Sequence, residues 1–220
     1  MSANASSYIN IHTHSKPKAN TIAVRNAYLK LNIEKIVDLP YMVSVGLHPW
    51  HINNYSINKC TDLLLDVANL TNVFAIGEIG IDRAIDIPVS TQLQFFDAQL
   101  NIARAVRKPV IIHAVKGYSD VMPYLKKSKV PFIFHGFTGN IQQAKEILKY
   151  NAYLSFGKSL LDTKYAEVFA QIPIQNILLE TDAANITIEE VYKLAANAKG
   201  LSIDELKTIV FNTFAQLNNK

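Results

Sequence analysis

The sequence predicts an α/β protein, a single closed (β/α)8 barrel of TIM type, on three observations. Eight short apolar runs rich in Ile, Val, Phe and Tyr recur along the 220 residues, each short enough to be a strand buried on both faces. Amphipathic stretches of helical length separate the later runs, so those strands should be parallel and joined by crossovers. Polar residues, five of the six histidines among them, close the runs at their C-terminal ends, where such a barrel carries its active site. An open doubly wound sheet is the alternative for the same alternation.

Strands are expected at 8–14, 21–29, 42–48, 73–82, 109–115, 131–137, 152–157 and 177–182. Helices are expected at 90–106, 117–127, 140–150, 161–171, 187–198 and 202–217. The first carries Leu93, Phe96, Leu100 and Ala103 at spacings of three and four, one face of a helix. Thr187 with Glu190, and Ser202 with Glu205, read as capping boxes that open the last two helices. One unit departs from the pattern. Only residues 15–20 separate the first two strands, too few for a helical crossover. The first βα unit is therefore reduced, with no helix between strands 1 and 2. Either strand 21–29 runs antiparallel, the preferred reading because it would deliver the chain to the bottom of the barrel, where Met42 must start, or the first helix is replaced by a bare loop.

An apolar fraction of 49% with 18% charged residues, eight Gly and eight Pro excludes a disordered chain, a collagen and a coiled coil. No apolar run approaches the roughly 18–20 residues of a membrane helix, and residues 1–10 show neither the basic segment nor the apolar stretch of a secretory signal. Cys60 is the one cysteine, so neither an internal disulfide nor a thiolate metal cluster is available, and a reducing cytoplasmic setting is expected. The net charge of +4 is spread along the chain. Its densest stretch, Lys126, Lys127 and Lys129, reads as a solvated helix end; an anionic partner is permitted but not required. No Pro/Gly/Ser-rich linker divides residues 1–220, which are expected to form one domain, a monomer with no obligate protein partner and no membrane contact.

The chemistry gathers at the strand ends. His12-Thr13-His14 places two imidazoles on one side of a strand, where they can share a divalent cation, although a hydrogen-bonded pair explains the same spacing. Glu78 lies in the apolar run Ala75-Ile76-Gly77-Glu78-Ile79-Gly80-Ile81-Asp82, where a carboxylate is costly unless paired or bound to metal. His113 and His135 each close an apolar run, and either alone is as readily a buried structural histidine. Asp182 aligns with Glu180 by alternation and has an N-cap role as its rival. Jointly, four histidines, a glutamate and an aspartate at one mouth form an N/O ligand set. It suits one or two of Zn²⁺, Mn²⁺ or Mg²⁺, and two ions bridged by a carboxylate is the economical arrangement.

These motifs resemble the TatD-like metal-dependent hydrolases of the amidohydrolase superfamily, a (β/α)8 family that includes DNases. The resemblance runs from Ile11 to about Asn185. It rests, in order, on His12-Thr13-His14, Val45-Gly46-Leu47-His48-Pro49, Ile76 to Asp82, His113, His135-Gly136-Phe137-Thr138-Gly139 and Leu179-Glu180-Thr181-Asp182-Ala183. It implies two divalent ions: His12, His14 and Asp182 on one, His113 and His135 on the other, Glu78 bridging. It further implies hydrolysis of DNA phosphodiester bonds by a metal-activated water, with Asp182 as general base. His48 is implied as a contact to substrate or to a ligand; Asp82, Glu180 and Lys116 are candidates for the same kind of role. The chain departs from the family where Val115 and Lys116 replace a usual arginine, and where Ala183-Ala184-Asn185 replaces a Pro-containing loop. Arg83, Lys116 and Lys158 are candidate phosphate contacts or plain surface residues; Trp50, His51 and Tyr55 are a candidate base-stacking group or a hydrophobic lid. Two other readings stay open: hydrolysis of a small ester, amide or organophosphate at the same site, and a non-catalytic barrel that binds metal or a partner.

Overall fold

Eight parallel strands follow one another around the sheet in sequence order: β1 (Tyr8–Thr13), β2 (Thr21–Tyr28), β3 (Met42–Gly46), β4 (Val73–Asp82), β5 (Val110–Val115), β6 (Phe132–Phe134), β7 (Ala152–Phe156) and β8 (Ile177–Leu179). The structure, a computed structural model, describes residues 6–28 and 36–218. Around the strands lie α1 (Ile57–Ala68), α2 (Val89–Ala105), α3 (Tyr118–Leu125), α4 (Ile141–Ile147), α5 (Thr163–Gln171), α6 (Ile188–Lys199) and α7 (Ile203–Asn218). Every residue of β4 is buried, as a strand covered on both faces requires. Among the described residues no helix is long and apolar enough to cross a membrane.

The expectation for the second strand is corrected. β2 pairs with β1 in parallel, Tyr8 opposite Thr21 and Asn10 opposite Ala23. No helix is needed to bring the chain back. Residues 14–20, at about 3.3 Å each, reach about 23 Å, whereas the six residues of β1 rise about 20 Å. A left-handed Asn20 (φ 59°) turns the chain into β2, and its carbonyl accepts the Tyr8 N–H at 3.0 Å. Leu29, the last residue expected in that strand, lies outside the described residues.

Closure between β8 and β1 is made partly by side chains, because β8 has only three residues. At the top, the Thr181 and Asp182 N–H groups donate to the His12 carbonyl at 3.3 and 3.0 Å, and the His14 N–H donates to the Asp182 carbonyl at 3.2 Å. Lower down, the Asn10 amide bonds the Thr181 hydroxyl and N–H. The buried Tyr192 hydroxyl of α6 accepts from the Ile9 N–H at 3.1 Å and donates to its carbonyl at 3.3 Å.

Two buried glutamines on α2 fix the mouth. Gln99 accepts the Leu47 N–H at 2.7 Å and donates to its carbonyl at 3.2 Å; Gln92 does the same for Asp82, at 2.7 and 2.9 Å. Each amide substitutes for a neighbouring strand where β3 and β4 run out of main-chain partners. They hold the backbone next to His48 and at Asp82.

Candidate metal centre

Five imidazoles converge on Glu78, which is 4% exposed. Its Oε2 lies 3.4 Å from His12 Nε2, 4.0 Å from His14 Nε2 and 3.2 Å from Asn26 Nδ2. Its Oε1 lies 2.7 Å from both His113 Nδ1 and His135 Nε2, and 3.2 Å from His48 Nε2. The two oxygens thus face different histidines. Asp182, at φ 50° beyond the end of β8, presents Oδ1 to His12 Nε2 at 3.4 Å and His14 Nε2 at 3.1 Å. Aspartate is among the few residues other than glycine that readily take such a φ.

The donor set fits a divalent ion. His12 is fully buried, yet neither ring nitrogen has a hydrogen-bond partner, a costly state for a buried polar group. Its Nε2 stands 3.4 Å from an oxygen of each carboxylate. Donors on one ion at 2.0–2.2 Å with tetrahedral angles stand about 3.3–3.6 Å apart. Three groups each bring their ligand atoms within 4.8 Å of one another: His12–Glu78–His135, His12–His14–Asp182 and His48–Glu78–His113. His113 Nδ1 and His135 Nε2 are themselves 3.4 Å apart.

Outer partners select which nitrogen faces inward. Asp82 Oδ2 lies 3.1 Å from His113 Nε2 and accepts a hydrogen bond from its N–H, leaving Nδ1 toward Glu78. Glu180 Oε1 stands 3.4 Å from His135 Nδ1 and accepts the Gly136 N–H at 2.8 Å. His48 differs. Its Nδ1 accepts the Trp50 N–H at 3.2 Å, so the proton sits on Nε2 and is donated to Glu78, leaving no lone pair for an ion. Lys116 is exposed and takes no part in the cluster. Arg83 is committed to a two-pronged ion pair with Asp120, 2.7 Å on each side.

Electrostatics follow from this crowding. Burial favours the neutral form of Glu78, but the surrounding His135, His113 and His12 rings hold its carboxyl well below the ordinary value. Burial likewise opposes ionisation of Asp182, and His12 and His14 overcome it, so that carboxyl is also strongly lowered. Burial and His135 work against a charge on His12, but Asp182 and Glu78 raise it to about 9. His135 is raised well above its ordinary value because Glu78 and Glu180 outweigh burial. His48 is lowered, with burial as the leading cause, which agrees with its neutral tautomer. Charge on the His12 and His135 rings thus balances the Glu78 and Asp182 carboxylates.

The supporting residues Gln92, Gln99 and Asn26 were not singled out from sequence. Glutamines at 92 and 99, two helical turns apart on a buried face, were the available signal.

The family profile of TatD-related DNases matches residues 13–219. The chain is 30% identical over 156 residues to the uncharacterized metal-dependent hydrolase YjjV of Escherichia coli, covering 68% of this chain and 60% of that protein. It is 30% identical over 156 residues to the deoxyribonuclease Tat-D of Schizosaccharomyces pombe, covering 64% and 50%. The chain thus spans about half to three fifths of these curated relatives. The crystal structure of E. coli YjjV superposes with a TM-score of 0.86 at 22% identity, covering 99% of this chain and 100% of that one, which establishes the shared barrel. With the family profile spanning nearly the whole sequence, the chain belongs to the TatD-related DNase family of metal-dependent hydrolases.

Proposed function

We propose that this chain hydrolyses phosphodiester bonds of nucleic acid, DNA foremost, at the Glu78 cluster. The observation that carries the reading is the buried Glu78 carboxylate with its two oxygens turned to different histidine sets. His12, His14 and Asp182 would hold one ion, His113 and His135 a second, and Glu78 would bridge them. Divalent ions in such a site supply Lewis acidity toward a phosphoryl oxygen and toward an attacking water.

The chain's own residues do the rest. Asp182 has a side chain 41% exposed, the most open of the carboxylates around His12, and is ionised at neutral pH. It is therefore placed to accept a proton from a water at the mouth and return it to the leaving oxygen. Asp82 and Glu180 keep the His113 and His135 rings oriented, while His48 donates to Glu78. Arg83 is occupied by Asp120 and supplies no free charge to a phosphate.

Incubation of the metal-reconstituted protein with single- and double-stranded DNA tests the reading, with His113→Ala as control. Cleavage should require a divalent ion, stop with chelator and vanish in the variant. Intact DNA alongside hydrolysis of small esters would replace the phosphodiester reading with the small-substrate one.

A further inference from the structure

Trp50 stands out among the large hydrophobic side chains at the mouth. It is 59% exposed, although an indole is among the side chains that gain most from burial. It is also fixed. Its Nε1–H donates to Asp82 Oδ2 at 2.7 Å, and its backbone N–H donates to His48 Nδ1. The His48 ring meets it edge-on, with centroids 5.1 Å apart and planes at 89°. Asp82 is 2% exposed and uses the same oxygen to orient His113. An exposed ring held by a buried carboxylate is a surface kept flat and ready.

Its neighbours in the sequence do not share this character. Tyr55 is packed against the core, and His51 is half-buried in the 3-10 turn Pro49–Asn54. Trp50 alone among the three is open. Its centroid is 6.5 Å from that of His113, whose Nδ1 is 2.7 Å from Glu78. A planar group on the indole would thus sit beside a phosphoryl group at the cluster, within the reach of a single nucleotide.

We infer that Trp50 is a substrate-positioning residue: its indole stacks on the nucleobase of the nucleotide whose phosphodiester lies at Glu78, with Asp82 as the residue that holds the ring in place. Stacking is tolerant of base identity because every base has a π-face, so Trp50 gives grip and register without reading sequence. A rotationally fixed indole loses little further freedom on binding. The inference rests on the phosphodiester reading of the same site.

Trp50 is the one tryptophan in the chain, so its fluorescence reports from this ring alone. The Mg²⁺-reconstituted protein is titrated with thymidine 5′-monophosphate and, separately, with 2-deoxyribose 5-phosphate. Saturable quenching by the nucleotide and none by the sugar phosphate is expected; no quenching, or equal quenching by both, overturns the inference. In a second arm, Trp50→Ala and Trp50→Phe act on oligonucleotides with intact and with abasic residues. Trp50→Ala should raise KM on the intact oligonucleotide roughly 5- to 150-fold more than on the abasic one, the range of one base–aromatic stack, and Trp50→Phe should keep part of that preference. Equal losses on both substrates would make Trp50 a packing residue of the loop. Absence of any cleavage by the parent protein would instead defeat the phosphodiester reading, and the fluorescence arm would still decide whether the indole binds a base.

Discussion

Asp182 separates metal binding from catalysis. As a donor it needs only an oxygen lone pair, which an amide also has; as a base it must take up a proton, which an amide does not do near neutral pH. Asp182→Asn should keep its fold and most of its metal while kcat falls roughly 10²- to 10⁴-fold, the scale of general acid–base catalysis. KM should change little, as for an interaction made chiefly in the transition state. Steady-state kinetics beside metal analysis checks this; near wild-type turnover in the variant would assign the proton to another group. His48 shows how one backbone contact sets a role. Because its Nδ1 accepts the Trp50 N–H, its Nε2 is a donor to Glu78, and this distinction from the other histidines on Glu78 is invisible in the sequence.

At the scale of elements, the short β8 and the ends of β3 and β4 depend on side chains for hydrogen bonds a longer sheet would make with its backbone. Gln99→Leu fills a similar volume but leaves the buried Leu47 N–H and carbonyl without their partner. It should cost about 1–3 kcal/mol, or roughly 2–12 °C in Tm at this chain length, measured by thermal denaturation. A Tm unchanged within a degree would mean that the β3 end is held otherwise. Most strands were legible because Ile-, Val- and Phe-rich runs stop at a polar residue; β4 has the expected bounds, 73–82. The direction of β2 was not legible, since a seven-residue loop makes a crossover usually given to a helix. Nor was α1 anticipated, although Ser56 caps it and Cys60, Leu64, Val67 and Ala68 form its buried stripe. The expected last strand ran to residue 182, whereas β8 stops at Leu179 because the chain turns toward the left-handed Asp182. The candidate ligands were legible singly as strand-end residues, but the outer partners Gln92, Gln99 and Asn26 required the fold.

At the scale of the whole molecule, the cluster ties together strands far apart in sequence: His12 on β1, Glu78 on β4, His113 on β5, and Asp182 beyond β8. An ion held among them binds only the folded barrel, so loading should stabilise it. At a free concentration of 100 times Kd the gain is about 2.7 kcal/mol per ion, or roughly 5–11 °C in Tm. A Tm indifferent to chelator would mean that no ion links these strands. Glu78 is the only residue of this set that faces both histidine groups, one with each carboxylate oxygen. Metal content per chain, measured for the parent and for Glu78→Ala after identical loading, therefore tests the central claim most directly. Two ions in the parent and weakened retention of both in the variant are predicted; a variant that loses one ion and keeps the other unchanged would contradict the bridge.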